Sequence, residues 1–180
     1  MIRIAVPDDA EAVLSVYAQY IDTPVTFEYA LPSVREFRGR IVTTLEEYPW
    51  LVWEEDGLIL GYAYAHRYRV RQAYQWGAEL SVYVEKSVHG KGIGTALYEE
   101  LIRLLVRQGV KTVYGCVTLP NEKSQALHTS LGFTEAGVLR SAGYKAGRWH
   151  DVIWYEKPVA PYDDPPAPFC PFPKIQGGLP

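Results

Sequence analysis

The sequence predicts one α/β (α+β) domain built on a mixed, at least partly antiparallel sheet, and three observations carry that prediction. Segments with period-two and period-3.6 apolar patterns alternate along the chain, beginning with strand and then helix between Ile2 and Tyr20. "DG" at Asp56 and Gly57 separates two strand-like runs, the strongest short-range hairpin signal. A third strand-like run, Trp76 to Val84, passes through three closely spaced glycines into an amphipathic helix. With 180 residues, 48% hydrophobic and 22% charged, the chain has the length and balance of a single globular domain.

Ile2 to Val6 alternates as a short strand, and Asp8 then caps a helix carrying Ala12, Val13, Val16, Tyr17 and Tyr20 on one face. Ile21 to Pro32 reads as a loop whose exposed-looking Thr26 and Phe27 overhang a cleft, and Ser33 opens a more polar helix to about Leu45. Trp50 to Glu55 and Leu58 to Tyr68 flank the Asp56-Gly57 turn. In the fourth strand, Ala78, Leu80, Val82 and Val84 share one face, while Glu79, Ser81 and Tyr83 share the other. A long helix to about Gln108, a strand Thr112 to Thr118 and a helix Asn121 to Leu131 stopped by Gly132 follow. Two strands near Phe133 to Leu139 and Trp149 to Glu156 complete the domain, taken as residues 1–158. From there prolines make up eight of the last 23 residues, which excludes helix and central strand, so residues 159–180 are expected as an extended tail.

The glycines carry the first functional signal. In "HGKGIGT", Gly90, Gly92 and Gly94 allow positive φ and close approach to the backbone, and Leu97, Leu101, Leu104 and Leu105 then recur at helical spacing. Unpaired N–H groups and the positive end of the helix dipole, about half an elementary charge, make such a start a site for phosphate. The spacing fits neither a nucleotide P-loop nor a dinucleotide fingerprint.

"HGKGIG" resembles the acyl-CoA pyrophosphate loop of the GCN5-related N-acetyltransferases (GNAT), whose pattern is Gln or Arg, two residues, Gly, one residue, Gly or Ala. His89 takes the Gln/Arg position, a departure. "TLPNEKSQALHTSLGF", Thr118 to Phe133, resembles the second signature of that superfamily, an Asn followed seven residues later by a proton donor and then by Gly-Phe. From about Ile2 to Pro158 the chain is similar to the phosphinothricin acetyltransferase-like branch, through "TPVTFE", "RQAYQWGAELSVYV", "LPNEKSQALHTSLGF" and "GYKAGRWHDVIWYEKP". The resemblance implies a mostly antiparallel twisted sheet flanked by helices, fourth and fifth strands splayed to admit acetyl-CoA, and a homodimer.

It also implies an enzyme that moves an acetyl group from acetyl-CoA directly to the amino group of a small amino acid or analogue. Acyl transfer to an amine needs a proton acceptor for the ammonium, a donor at the thioester oxygen and a proton for the departing thiolate. Glu79 matches the family's catalytic glutamate, and His128 stands where many members place a tyrosine acid. Main-chain N–H groups at Val82, Tyr83 and Val84 are expected to hold the pantetheine arm. His89, Gly90, Lys91, Gly92, Ile93, Gly94 and Thr95 are expected at the diphosphate, with Asn121 and Ser124 beside it on the helical face of His128. For the acceptor, Arg71 and Tyr74 match positions the family uses, and Phe27 and Trp149 wall the pocket. Arg67, Arg69 and Arg71 also alternate as a solvated strand edge would.

Other partners find less support. A net charge of -3 without a dense Lys/Arg cluster gives no footprint for nucleic acid or an anionic membrane. No leader-like or bilayer-length apolar segment is apparent, so the cytoplasm is the expected location, and Cys116 and Cys170 are expected as unpaired thiols with no metal-type cluster. Acceptors such as a polyamine, an aminoglycoside or a protein N-terminus remain open, as does a non-catalytic acyl-CoA-binding module.

Overall fold

The structure, a computed structural model, describes residues 1–176. Seven strands form one sheet: β1 (Ile2–Ile4), β2 (Trp50–Glu55), β3 (Leu58–Arg67), β4 (Gly77–Val84), β5 (Thr112–Thr118), β6 (Thr134–Lys145) and β7 (Arg148–Pro158). Their spatial order is β1-β2-β3-β4-β5-β7-β6, and every neighbouring pair is antiparallel except β4 with β5. Helices α1 (Ala10–Ala18) and α2 (Val34–Leu45) cover one face; α3 (Ile93–Arg107) and α4 (Glu122–Ser130) cover the other. The alternation in β4 divides the two sides. Ala78 and Leu80 join Leu97, Leu101 and Val113 in one core, while Tyr83 packs with Val13, Phe37, Trp50 and Tyr62 in the second.

Local chemistry sets the element ends. Ser33 caps α2 reciprocally: its Oγ accepts from Glu36 N at 3.2 Å, and the Glu36 carboxylate accepts from Ser33 N at 2.7 Å. At the N-terminus, Asp9 rather than Asp8 organises the first helix, accepting from Val6 N at 2.8 Å while holding both arms of the Arg3 guanidinium. Pro7 then opens a 3-10 turn, so β1 stops at Ile4 and not at Val6. Asp56 and Gly57 take φ of 51° and 76°, as the hairpin requires. A second tight hairpin at Ala146 and Gly147 (φ 50° and 77°) joins β6 to β7. These two strands outrun their expected ends because a register shift between Leu139 and Gly143 interrupts the alternation.

The proline-rich segment runs extended through Pro171, as its composition demands, and is fastened along its length. Lys111 Nζ meets Asp163 Oδ2 at 2.5 Å, Trp76 Nε1 donates to Ala167 O at 2.7 Å, and Cys170 N donates to Gln108 O at 2.8 Å. It ends in α5 (Phe172–Ile175), a single turn whose Phe172 ring is fully buried in the α3-side core. Burying that ring contributes about 2 to 3 kcal/mol. Residues 177–180 of the expected tail lie outside the described residues.

Candidate active site

β4 and β5 run side by side only from Gly77/Thr112 to Leu80/Gly115. Beyond that point each strand keeps its outer partner, β3 for Ser81 to Val84 and β7 for Cys116 to Thr118, but they no longer pair with each other. One backbone edge of β4 is therefore open over Ser81 to Val84. Unpaired strand edges accept another extended chain, and an amide-bearing arm meets the same donors and acceptors.

The glycine turn lies at the far end of this opening. Gly90 and Gly92 take φ of 81° and 79°, and Gly92 is the left-handed N-cap of α3, so the helix begins with its free N–H groups uncovered by side chains. A Cβ at either position would meet nothing within 4 Å, which leaves the turn open on that side. Gly94 faces inward, where a Cβ would lie 3.5 Å from Leu127 and 3.7 Å from Val84. His89 turns away from the helix start: Nε2 lies 3.0 Å from Val84 O and 2.8 Å from Tyr20 Oη, and Nδ1 lies 3.2 Å from Lys123 Nζ.

Glu79 sits where the two strands still pair, opposite Tyr114 on β5 and His66 on β3. Its Oε1 is 3.8 Å from His66 Nε2. Burial raises its carboxyl above the ordinary carboxylate range, with neighbouring His66 and Arg69 opposing part of that shift. A carboxyl group tuned upward and still partly exposed is suited to taking a proton near neutral pH. Cys116 is on the same face; desolvation first, and then the charge of Glu79, push its thiol up to about 12. It stays protonated, which argues against an acyl-cysteine intermediate. Cys116 and Cys170 are both free thiols.

His128 lies across the sheet from Glu79. Its ring is buried among Tyr98, Phe133 and Tyr155, stacked on Tyr155 at 5.1 Å. Nδ1 donates to Ser124 O at 2.7 Å, so in the neutral ring Nε2 carries the lone pair, and Nε2 has no partner. Desolvation lowers the pKa of the ring below its ordinary value, holding it neutral at pH 7. The resting group accepts a proton and does not donate one. Asn121, expected to converge with His128 and Ser124, uses its Oδ1 to cap α4 by accepting from Ser124 N at 3.2 Å.

The four expected acceptor residues do not gather in one pocket. Arg71 is exposed in the β3–β4 connection, and Tyr74 packs edge-on against Tyr68 beside the proline-rich segment. Trp149 is 62% exposed at the β6–β7 hairpin. Thr26 proves buried, bonded to Tyr17 Oη at 2.5 Å, and Phe27 packs inward where a side chain at Gly143 would otherwise go. Buried Lys145 fixes this loop, donating to Ile21 O at 2.7 Å and Thr26 O at 2.5 Å. A cavity of about 620 Å³ instead opens under α1 and α2, walled by Trp50, Tyr62, Tyr64 and Tyr83. Its polar groups include Glu28 and Arg40, paired at 2.6 Å. Tyr64 links this cavity to His66 and so to Glu79. The alternation of Tyr62 and Tyr64 along β3 is the signal in the sequence for this wall.

The acetyltransferase (GNAT) domain family matches residues 2–154. A phosphinothricin N-acetyltransferase of Streptomyces viridochromogenes is 38% identical over 175 residues, 97% of this chain and 95% of its own length. An L-methionine sulfoximine/L-methionine sulfone acetyltransferase of Salmonella typhimurium is 35% identical over 120 residues, 67% of this chain and 70% of its own. The crystal structure of a phosphinothricin acetyltransferase from Sinorhizobium meliloti in complex with AcCoA superposes with a TM-score of 0.87 at 32% identity, covering 93% of this chain and 92% of that one.

Proposed function

Because this chain belongs to the acetyltransferase (GNAT) domain family, we propose that it N-acetylates a small amino acid or amino-acid analogue of the phosphinothricin or methionine sulfone and sulfoximine type, with acetyl-CoA as co-substrate. The observation that carries the proposal is the parting of β4 from β5 after Leu80 and Gly115, with the α3 glycine turn at one end and Glu79 at the other. The pantetheine arm lies along Val82 to Val84, and the diphosphate meets the N–H groups between Gly90 and Thr95.

The amine nitrogen attacks the thioester carbonyl carbon, the new C–N bond forms, and the C–S bond breaks to release the CoA thiolate. Glu79 takes the proton that the nitrogen must lose, directly or through one water. His128, neutral with Nε2 beside Gly115, serves as acid for the thiolate only after acquiring a proton. The acceptor enters from the aromatic cavity, where the carboxylate of Glu28 is already neutralised by Arg40, which disfavours a polycation. Arg71, Tyr74, Phe27 and Trp149 lie outside this cavity, and what supports an acceptor role for them is the family resemblance, with Arg71 free of any ion-pair partner among the described residues.

We further propose a homodimer acting in the cytoplasm, where acetyl-CoA is at hand. Leu139, Tyr144 and Trp149 are exposed together on the β6–β7 hairpin, whose outer strand edges the sheet, and they suit a second copy of the chain. A thiol-release assay with acetyl-CoA and phosphinothricin, methionine sulfone, methionine sulfoximine, ordinary amino acids and polyamines tests the function. Release with the amino-acid analogues and not with polyamines is expected; coenzyme binding without turnover on any amine would contradict it.

A further inference from the structure

His89, the residue that departs from the family pattern, ties together four parts of the molecule. Lys123 is in the first turn of α4, across the opening from β4, and its ammonium meets His89 Nδ1. An ammonium has only donors, so Nδ1 accepts and the ring proton is on Nε2, where it donates to Val84 O and Tyr20 Oη. Tyr20 in turn donates to the same Val84 carbonyl at 2.5 Å. The ring is therefore held in one orientation, clamped between the turn that follows α1, the end of β4 and α4. It holds the Lys123 ammonium at the residue that immediately precedes Gly90.

Lys123 is exposed and has no carboxylate partner among the described residues. Of its three N–H donors, one is used on His89 and two are left. The α3 dipole and free N–H groups offset only part of the charge of a diphosphate, since the dipole amounts to about half an elementary charge. An arginine or glutamine at position 89 would add donors from the turn itself. Here the added donor comes from the other side of the opening, already held in place before the ligand arrives, which lowers the cost of ordering it.

Resting on the assignment of the turn to the coenzyme diphosphate, we propose that Lys123 is a phosphate ligand for acetyl-CoA and that His89 is the positioning residue that presents its ammonium. Lys123 and the α3 turn grip the diphosphate from opposite sides of the opening, so the contact closes the mouth of the cleft over the bound arm.

The test compares KM for acetyl-CoA and for S-acetylpantetheine, the same thioester arm without the diphosphate, together with kcat and thermal midpoint. Lys123→Met should raise KM for acetyl-CoA roughly tenfold, the loss of one charge-assisted hydrogen bond. KM for S-acetylpantetheine, kcat and the midpoint should not move. His89→Leu should reproduce much of that loss, whereas His89→Gln should retain affinity, because the Gln carbonyl accepts from Lys123 while its amide donates to Val84. An unchanged KM for acetyl-CoA in Lys123→Met, or an equal rise for both thioesters, would overturn the proposal. A wild-type enzyme that used acetyl-CoA no better than S-acetylpantetheine would instead overturn the placement of the diphosphate, and the proposal with it.

Discussion

The ring of His128 occupies the space a side chain at Gly115 would need, with Nε2 and Cδ2 both far inside contact distance of a Cβ built there. Gly115 is also the last β5 residue paired with β4, so the wedge stands at the root of the opening. Gly115→Ala should lower stability by about 1 to 3 kcal/mol, the usual cost of overpacking, as read by chemical denaturation. Adding His128→Ala should recover part of that loss, since the two changes share one volume. Additive losses would show that the ring does not set the limit.

His128 also predicts an acid sensitivity. Its folded pKa is depressed by burial, so between that value and the ordinary histidine pKa the unfolded chain binds more protons than the folded one. Stability is therefore complete above the ordinary histidine pKa and falls as pH drops through the window below it. Thermal midpoints measured from pH 7.5 down to about 5 should decline less steeply in His128→Phe than in the wild type. Equal slopes would mean that the ring is not held neutral.

Gly92 and Gly94 should separate. At φ 79° any other residue at 92 is strained by about 1 to 2 kcal/mol, so Gly92→Val should destabilise the α3 start and weaken CoA binding in calorimetry. At Gly94 an added methyl makes only ordinary contact with Leu127 at 3.5 Å, so Gly94→Ala should keep the wild-type midpoint.

The proline-rich segment is predicted to be structural. Phe172→Ala removes a fully buried ring from the main core and should cost about 3 to 5 kcal/mol in equilibrium unfolding. A midpoint within a degree of wild type would show that α5 adds nothing to the fold.

Much of this was legible in the sequence because the signals were local. The alternation of Ala78, Leu80 and Val82 against Glu79 and Ser81 assigns the faces of β4, and Gly90, Gly92 and Gly94 mark the α3 start. What was not legible depends on pairs distant in the chain. Asn121, Ser124 and His128 share a helical face, but spacing within a helix does not say which side of the sheet that face meets. Glu28 with Arg40, and His89 with Lys123, join a loop or turn to a helix and leave no periodic trace. Prolines masked Phe172, since composition describes the backbone of a segment and not where one ring is buried.

The most direct test of the account is the rate of thiol release from acetyl-CoA with methionine sulfone or phosphinothricin, compared across pH 6 to 9.5 for wild type and Glu79→Gln. With its carboxyl raised by burial above the ordinary carboxylate range, Glu79 deprotonates the bound ammonium, whereas the glutamine variant must wait for free amine. The rate of the variant should therefore fall about tenfold for each unit below the pKa of the acceptor, as the free-amine fraction does. The deficit should widen toward neutral pH while KM for acetyl-CoA holds. Parallel profiles with equal rates would contradict the role of Glu79 and the assignment of the opening as the site of acetyl transfer.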